Sequence, residues 1–215
     1  MAPINAQTNA EHLPMTTLPA RTLRQIVGAP STPAPLDKAV LVLIDLQREY
    51  TDGALRLSGV DAAVEQAAEL LGLARANGVP VIHIVHHTAA GAPVFDPTGP
   101  MAEIVLAVAP REDEPVIVKK LANAFAGTDL QTVARDTGRT EMIVAGFMTH
   151  NCVSSTARSA VDHGWRVTVV ASATATRDLP DGKGGMVPAA DIQRGVLTGL
   201  SDSLATVVED ARAWG

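Results

Sequence analysis

Short apolar runs rich in β-branched residues alternate with segments of helical periodicity along most of this 215-residue chain. The first run, AVLVLIDL at residues 39–46, is almost continuously apolar, as a strand buried on both faces requires. The next segment, residues 59–78, has apolar residues at helical spacing and ends in Asn77-Gly78, a good helix stop. Strands that alternate with helices form right-handed β-α-β units, so the sequence predicts a parallel sheet with helices on both faces.

Five further strands and two further helices continue this alternation. The strands are predicted at VPVIHIVHH, PVIVKK, EMIVAGF, RVTVVASA and SLATVVE, and the helices at TDLQTVARDTG and NCVSSTARSAVDHG. The predicted fold class is therefore α/β, with a three-layer α/β/α arrangement and a six-stranded, mostly parallel sheet. We assign residues 38–215 to this domain and the proline-rich residues 1–37 to an N-terminal arm, with a short helix at Leu18–Val27.

Composition and charge exclude several classes of function. The chain has one cysteine, so it forms no internal disulfide, and its net charge of −6 repels nucleic acid and anionic lipid. No apolar run approaches the roughly 20 residues of a membrane span, and the N-terminus lacks the features of a signal peptide. The sequence predicts a soluble, cytoplasmic protein with a small-molecule substrate. It also predicts a homo-oligomer, a dimer or larger, in which the arm wraps a neighbouring subunit.

Three residues with useful chemistry stand at the ends of predicted strands. Asp45 ends the first strand, Lys119 and Lys120 end the third, and Cys152 follows the fourth. The carboxyl ends of parallel strands meet at one edge of the sheet, where the ligand crevice of such folds lies. An acid, a base and a thiol are therefore expected to converge at this edge.

The position of Cys152 suggests a nucleophile. We expect it in the first turn of its helix, with His150 or Asn151 as the N-cap, where free N–H groups and the helix dipole lower the pKa of a thiol. Asp45 can accept the thiol proton, and Lys119 can keep Asp45 charged. On the residues alone, three alternatives stay open: an inert core cysteine, a thiol redox sensor, and a non-catalytic binding protein of the same fold.

Three segments in this order and spacing resemble the isochorismatase-like cysteine hydrolases, which include nicotinamidases and N-carbamoylsarcosine amidases. They are LVLIDLQREY, VIVKKLANAFAGTDL and GFMTHNCVSSTARSAVDHGW, and the resemblance covers roughly residues 38–204. It implies a catalytic triad of Asp45, Lys119 and Cys152, with Lys119 preferred to Lys120 by its spacing from Phe125. It also implies hydrolysis of a small-molecule amide or related C–N bond through a thioester.

The same resemblance implies a non-proline cis peptide between Phe147 and Met148. It further implies an oxyanion hole made by the N–H groups of Met148 and Cys152. Metal-binding nicotinamidases carry histidines shortly after the first-strand aspartate, whereas LQREYTDGALRLSG, which follows Asp45 here, has none. We therefore expect neither a metal nor a cofactor.

Four residues near the predicted crevice are candidate substrate contacts: His86, His87, Phe147 and His150. His83 and His86 are expected to point to opposite faces of their strand, which argues against a metal cluster in HIVHH. The loop ATATRDLPDGKGG after the fifth strand lacks the glycine spacing of a dinucleotide-binding turn. It is a candidate flap over the crevice.

Overall fold

The structure, a computed structural model, describes residues 19–215. Its strands are β1 (Ala39–Ile44), β2 (Val81–His86), β3 (Val116–Lys119), β4 (Glu141–Phe147), β5 (Arg166–Ala175), β6 (Leu179–Pro180), β7 (Met186–Val187) and β8 (Ala205–Val208). Its α-helices are α1 (Leu23–Ile26), α2 (Val60–Ala76), α3 (Leu130–Asp136), α4 (Ser154–Asp162) and α5 (Ala189–Ser203). A π-helical turn, Thr149–Val153, leads into α4.

The described strands form a six-stranded sheet in the order β3-β2-β1-β4-β5-β8, and a small hairpin of β6 and β7. Every pair in the large sheet is parallel, so the carboxyl ends of its strands lie at one edge. Strand β1 lies in the interior of the sheet between β2 and β4, and all six of its residues are buried. A strand covered on both faces in this way needs the continuous apolar run that the sequence provides.

Two apolar layers cover the two faces of the sheet. On one face, α2 packs through residues such as Leu70 and Leu71 against Leu41 and Leu43 of β1. On the other face, residues of α3, α4 and α5 pack against the alternate side chains of β1 and β4. The predicted three-layer fold with a parallel sheet is therefore confirmed.

Gly146 allows β1 and β4 to approach each other closely beside the site. Its φ of +119° lies in a region that favours glycine, and a Cβ there would stand 2.0 Å from the carbonyl oxygen of Ile44. The register between β4 and β5 also shifts between Val144 and Gly146. Only a residue without a side chain fits at this point, three residues before the turn Thr149–Val153 that contains Cys152.

The structure differs from the sequence prediction at three places. Helix α5 was not predicted, because Gly195 and Gly199 interrupt its pattern and only Ala189 and Leu200 of its residues are buried. The loop after β5 contains the β6–β7 hairpin. The helix expected from Asn151 starts as an α-helix only at Ser154, because the preceding turn is π-helical.

The described part of the predicted arm packs against this chain's own domain. The N–H of Leu23 in α1 donates to Asp202 of α5 (2.9 Å), and Trp214 Nε1 donates to the carbonyl of Ala34 (2.7 Å). Ala34 is fully buried. Of the helix predicted at 18–27, Leu23–Ile26 is observed, and Leu18 lies outside the described residues. Residues 19–37 are thus held by their own subunit, and the division of the chain after residue 37 stays a prediction.

Candidate active site

The backbone at the end of β1 turns Asp45 into the protein. Asp45 has φ of +50°, in the left-handed region that aspartate tolerates better than most residues, and its side chain is fully buried. Its N–H donates to the carbonyl of Ile84 (2.9 Å), which fixes this turn to β2. The Oδ1 atom of Asp45 has no hydrogen-bond partner among the described residues. The site therefore contains a buried carboxylate with one free acceptor.

Lys119 joins three side chains at the carboxyl edge of the sheet. Its Nζ lies 2.7 Å from Asp45 Oδ2, 3.2 Å from Cys152 Sγ and 3.0 Å from His86 Nδ1. An ammonium group has three protons, and each has an acceptor here. Since lysine only donates, His86 accepts through Nδ1 and carries its proton on Nε2. Lys120, in contrast, is exposed. The predicted convergence of Asp45, Lys119 and Cys152 is observed. His86 is the fourth residue of this cluster, through its contact with Lys119.

Burial decides the protonation of this cluster. It raises the pKa of Asp45 to about 6, although the neighbouring Lys119 opposes the shift. Burial, together with the negative charge of Asp45, raises the pKa of the Cys152 thiol to about 12. Burial and the Lys119 charge lower the pKa of His86 to about 4. At neutral pH the Asp45 carboxyl is therefore mostly ionised, whereas the Cys152 thiol and the His86 imidazole are neutral.

This protonation state corrects the expectation of a thiolate at rest. The predicted N-cap was also wrong, because the residue that precedes the π-helical turn is Met148 and no side chain caps the turn. The N–H groups of Asn151 and Val153 donate to the Met148 carbonyl (3.0 and 3.2 Å). The thiol is only 3% exposed, so desolvation outweighs the effect of the helix start on its pKa. The peptide bond between Phe147 and Met148 is cis, as the resemblance implies.

The predicted substrate contacts lie in different places. His86 faces the cluster, whereas His87 lines an open surface cavity together with Val116 and Val118, whose side chains lie on the opposite face of the sheet. Phe147 is fully buried in the core on the α2 side. His150 is partly buried, and its Nδ1 lies 2.5 Å from Thr176 Oγ1. Of the four candidates, His86 contacts Lys119, and His150 lies within the turn that holds Cys152.

Aromatic residues that the sequence analysis did not single out enclose the site. Phe95 packs edge-on against His86 and Tyr50, with ring centroids 5.2 and 5.1 Å away. Phe95 has φ of +53°, and its N–H donates to the buried Glu49 (3.4 Å). Tyr50 is buried, and its pKa is raised by burial and by the charge of Asp45. In the sequence, the only indication that Tyr50 lies near the site is its position in the segment LVLIDLQREY.

Neither a candidate metal cluster nor a candidate membrane-spanning helix is present within residues 19–215. No group of three or more histidine, cysteine, aspartate or glutamate side chains in this range is arranged to hold a metal ion. No helix in the same range is long and apolar enough to cross a membrane. Independence from metals stays a prediction.

Comparison with known proteins assigns this arrangement to a family. The family model described as isochorismatase domain matches residues 39–207. The chain belongs to the isochorismatase family. Another member, an isochorismatase from Pseudomonas putida, has a crystal structure with 41% sequence identity and a TM-score of 0.85, covering 90% of this chain and 98% of its own. The predicted family, with its class of hydrolases, is thus confirmed.

Two curated relatives extend the comparison within the isochorismatase family. A secreted isochorismatase effector of Verticillium dahliae is 36% identical over 87% of this chain and 96% of its own length. Maleamate amidohydrolase of Pseudomonas putida is 39% identical over 62% of this chain and 70% of its own length. The family therefore contains a secreted member, and the predicted cytoplasmic location of this chain stays a prediction.

Proposed function

We propose that this protein is a cysteine hydrolase that cleaves an amide or related C–N bond of a small molecule through a thioester. One observation carries the proposal: the buried group of Asp45, Lys119 and Cys152, with Lys119 Nζ within 3.2 Å of both partners. Burying two charges beside a thiol costs stability, and an inert core cysteine does not need them. The similarity to maleamate amidohydrolase supports a C–N bond as the target.

The first half of the proposed reaction forms the thioester. Cys152 Sγ attacks the substrate carbonyl while Asp45 takes the thiol proton, so that a free thiolate is never needed in the empty site. Asp45 then returns this proton to the nitrogen of the departing amine, and the C–N bond breaks. Lys119 keeps Asp45 ionised before the attack and stabilises the sulfur as its charge develops.

The second half restores the thiol. Asp45 takes a proton from water, the hydroxide attacks the thioester carbonyl, and the C–S bond breaks to release the acid. The departing sulfur regains its proton from Asp45. In both halves the N–H groups of Met148 and Cys152 are proposed to bind the oxyanion.

The alternatives explain less of the site. A redox sensor that closes a disulfide within the chain needs a resolving cysteine, whereas Cys152 is the only cysteine in the sequence. A non-catalytic binding protein has no use for a lysine whose three protons are shared between a carboxylate, an imidazole and a thiol. Neither alternative accounts for the free Oδ1 of Asp45.

Two substitutions of the nucleophile test the proposal. A panel of amides, ureido compounds and lactams is screened for release of ammonia, amine or acid. For a substrate found in this way, Cys152→Ala should retain binding and lose turnover by roughly 1,000-fold or more. Cys152→Ser should retain a trace of activity. Mass spectrometry of the intact protein after acid quench should detect an acyl adduct on the wild type. Turnover by Cys152→Ala at the wild-type rate would refute the mechanism.

A further inference from the structure

Strand β1 ends in a turn that leaves the end of β2 without a backbone neighbour on one side. The N–H of Asp45 donates to the carbonyl of Ile84 (2.9 Å), and beyond this bond no backbone hydrogen bond joins the two segments in the part of the chain that the structure describes. Alternate residues of an interior strand turn their backbone groups to opposite neighbours. The N–H of His87 accordingly donates to the carbonyl of Lys119 in β3 (3.1 Å). The backbone of His86 faces the gap that β1 leaves.

The side chain of Gln47 fills this gap and is fully buried. Its Oε1 accepts from the N–H of His86 (2.8 Å), and its Nε2 donates to the carbonyls of His86 (3.0 Å) and Ala102 (2.7 Å). A carboxamide group offers the same kinds of donor and acceptor as a peptide group. Gln47 therefore replaces the backbone partner that β1 no longer provides, and both backbone groups of His86 are satisfied.

The position of Gln47 is itself fixed by the backbone on either side of it. The N–H of Arg48 donates to the carbonyl of Glu103, and the N–H of Val105 donates to the carbonyl of Leu46 (both 2.9 Å). The Gln47 amide thus connects three segments: the turn after β1, the end of β2 and the loop that contains its third partner. A side chain held in this way determines where the backbone at the end of β2 lies.

The place of the His86 backbone decides whether its imidazole reaches Lys119. His86 Nδ1 lies 3.0 Å from Lys119 Nζ, and the ring also packs against Phe95, with 5.2 Å between the centroids. A displacement of about 0.6 Å would break the hydrogen bond to the lysine. The Lys119 ammonium group would then have one proton without an acceptor, next to Asp45 and Cys152.

We propose that Gln47 is a positioning residue, which holds His86 in contact with Lys119 and supports catalysis in this way. The inference rests on the proposed hydrolase function and adds a residue to it. Within residues 19–215 the Gln47 amide bonds to backbone groups and to none of the three triad side chains. Its effect on catalysis should therefore pass through His86.

The first test follows the His86 imidazole by NMR and needs no substrate. Burial and the charges of Lys119 and His87 lower the pKa of His86 to about 4, and its signal is assigned by its absence in His86→Leu. Gln47→Met keeps roughly the size of the side chain and removes its hydrogen bonds. In this variant we expect the imidazole to leave Lys119 and its pKa to rise towards the ordinary value of 6.5. Gln47→Glu, which keeps the acceptor, should show a smaller rise and replaces Gln47→Met if that variant does not fold. An unchanged His86 titration overturns the proposal.

The second test is a double-mutant cycle on the substrate found in the amide panel. We expect Gln47→Met and His86→Leu each to lower kcat/KM about tenfold. The double variant should also lose about tenfold, because Gln47 has nothing to position once the imidazole is absent. A loss of about 100-fold in the double variant means that the two residues act independently, and it overturns the proposal.

Thr168→Val is the matched control for the loss of a buried hydrogen bond. Thr168 lies near the amino end of β5, is fully buried, and accepts from the N–H of Ala34 through Oγ1 (2.9 Å). This variant should leave the His86 titration unchanged and kcat/KM within about threefold of the wild type, with or without His86→Leu. A shift of the His86 pKa in Thr168→Val as large as that in Gln47→Met would reduce Gln47 to a general structural role and overturn the proposal. A raised His86 pKa in Gln47→Met alone, in a protein that hydrolyses no amide of the panel, supports the positioning of His86 and counts only against the proposed function.

Discussion

Strand β2 contributes to two buried groups of charges, and these shift the pKa of their carboxylates in opposite directions. His86 belongs to the group of Asp45 and Lys119, where burial raises the pKa of Asp45 to about 6. His83, on the other face, belongs to the group of Glu114 and Arg75, where the Arg75 hydrogen bonds lower the pKa of Glu114 to about 2.

The difference lies first in burial, which is complete for Asp45, and then in the number of donors around each carboxylate. Glu114 accepts from Arg75 Nε and a second guanidinium nitrogen (2.8 and 2.7 Å), from the N–H of Arg111 (2.9 Å) and has His83 Nε2 at 3.0 Å. Asp45 has Lys119 Nζ on one oxygen and no hydrogen-bond partner on the other. A fully bonded carboxylate stabilises the fold, whereas one with a free acceptor keeps the capacity to take a proton. We therefore expect the Glu114 group to have a structural role and the Asp45 group to have a catalytic role.

Loss of the lysine should have the largest effect. In Lys119→Met, Asp45 loses its cation, becomes protonated at neutral pH and no longer accepts the thiol proton. We expect kcat/KM to fall by roughly 100- to 10,000-fold. Arg75→Met, the matched change in the other group, should leave kcat/KM within threefold and lower the stability instead. Steady-state kinetics and urea denaturation of both variants measure these effects. An equal loss of activity in the two variants would contradict the assignment of separate roles.

The pH dependence of activity should follow Asp45. Because the carboxylate is the active form, kcat/KM should decline about tenfold per pH unit below a midpoint near 6. The same raised pKa means that the folded state binds the Asp45 proton more tightly than the unfolded state. The contribution of Asp45 to stability therefore falls as pH rises from 3.8 to about 6. A pH–rate profile measures the activity, and an acidic limb with its midpoint below 5 would contradict the assignment.

Neutralising the structural carboxylate should reduce stability without reducing catalysis. Glu114→Gln leaves Arg75 without its anion, and we expect a loss of about 2–3 kcal/mol in the free energy of unfolding. The lowered pKa of Glu114 makes its contribution fully present above its ordinary value of 4.5 and lost as pH falls towards about 2. The difference between variant and wild type should shrink over this range. A drop in kcat comparable to that of Lys119→Met would show that the groups are coupled.

The two histidines give the smallest and most closely matched comparison. His86→Leu removes one acceptor of the Lys119 ammonium group, so we expect kcat/KM to fall about tenfold with little change in stability. His83→Leu removes a partner of Glu114 and should cost about 1 kcal/mol of stability with activity retained. Kinetics and denaturation of the pair measure both effects. Loss of activity in His83→Leu and loss of stability in His86→Leu would contradict the roles assigned to the two histidines.

Residues on regular strands were the most predictable part of this molecule. Asp45, Lys119 and Cys152 come together because each follows or ends a parallel strand, a rule that needs only the order of apolar runs. His86 could have been assigned to Lys119 as well, since the two residues are register partners in β2 and β3. From the sequence, His86 is predicted only as a substrate contact.

Features that depend on burial and on loop geometry were not predictable in the same way. A position at a helix start predicts a lowered pKa for the Cys152 thiol. Burial of the thiol has the opposite and larger effect, and burial cannot be deduced from the local sequence. Phe95 reaches the site from an irregular loop. Its φ of +53° is not predicted by any local sequence pattern.

The strand order also determines when the site comes into existence during synthesis. Asp45, directly after β1, and Lys119 on β3 leave the ribosome before β4, and the chain's only thiol follows β4 at Cys152. Until β4 docks, β1 has one unpaired edge, because its second neighbour is β4. A nascent chain that stops before Glu141 contains the acid and the base but no nucleophile. Reactivity is thus restricted to chains in which both neighbours of β1 in the sheet, β2 and β4, have been synthesised.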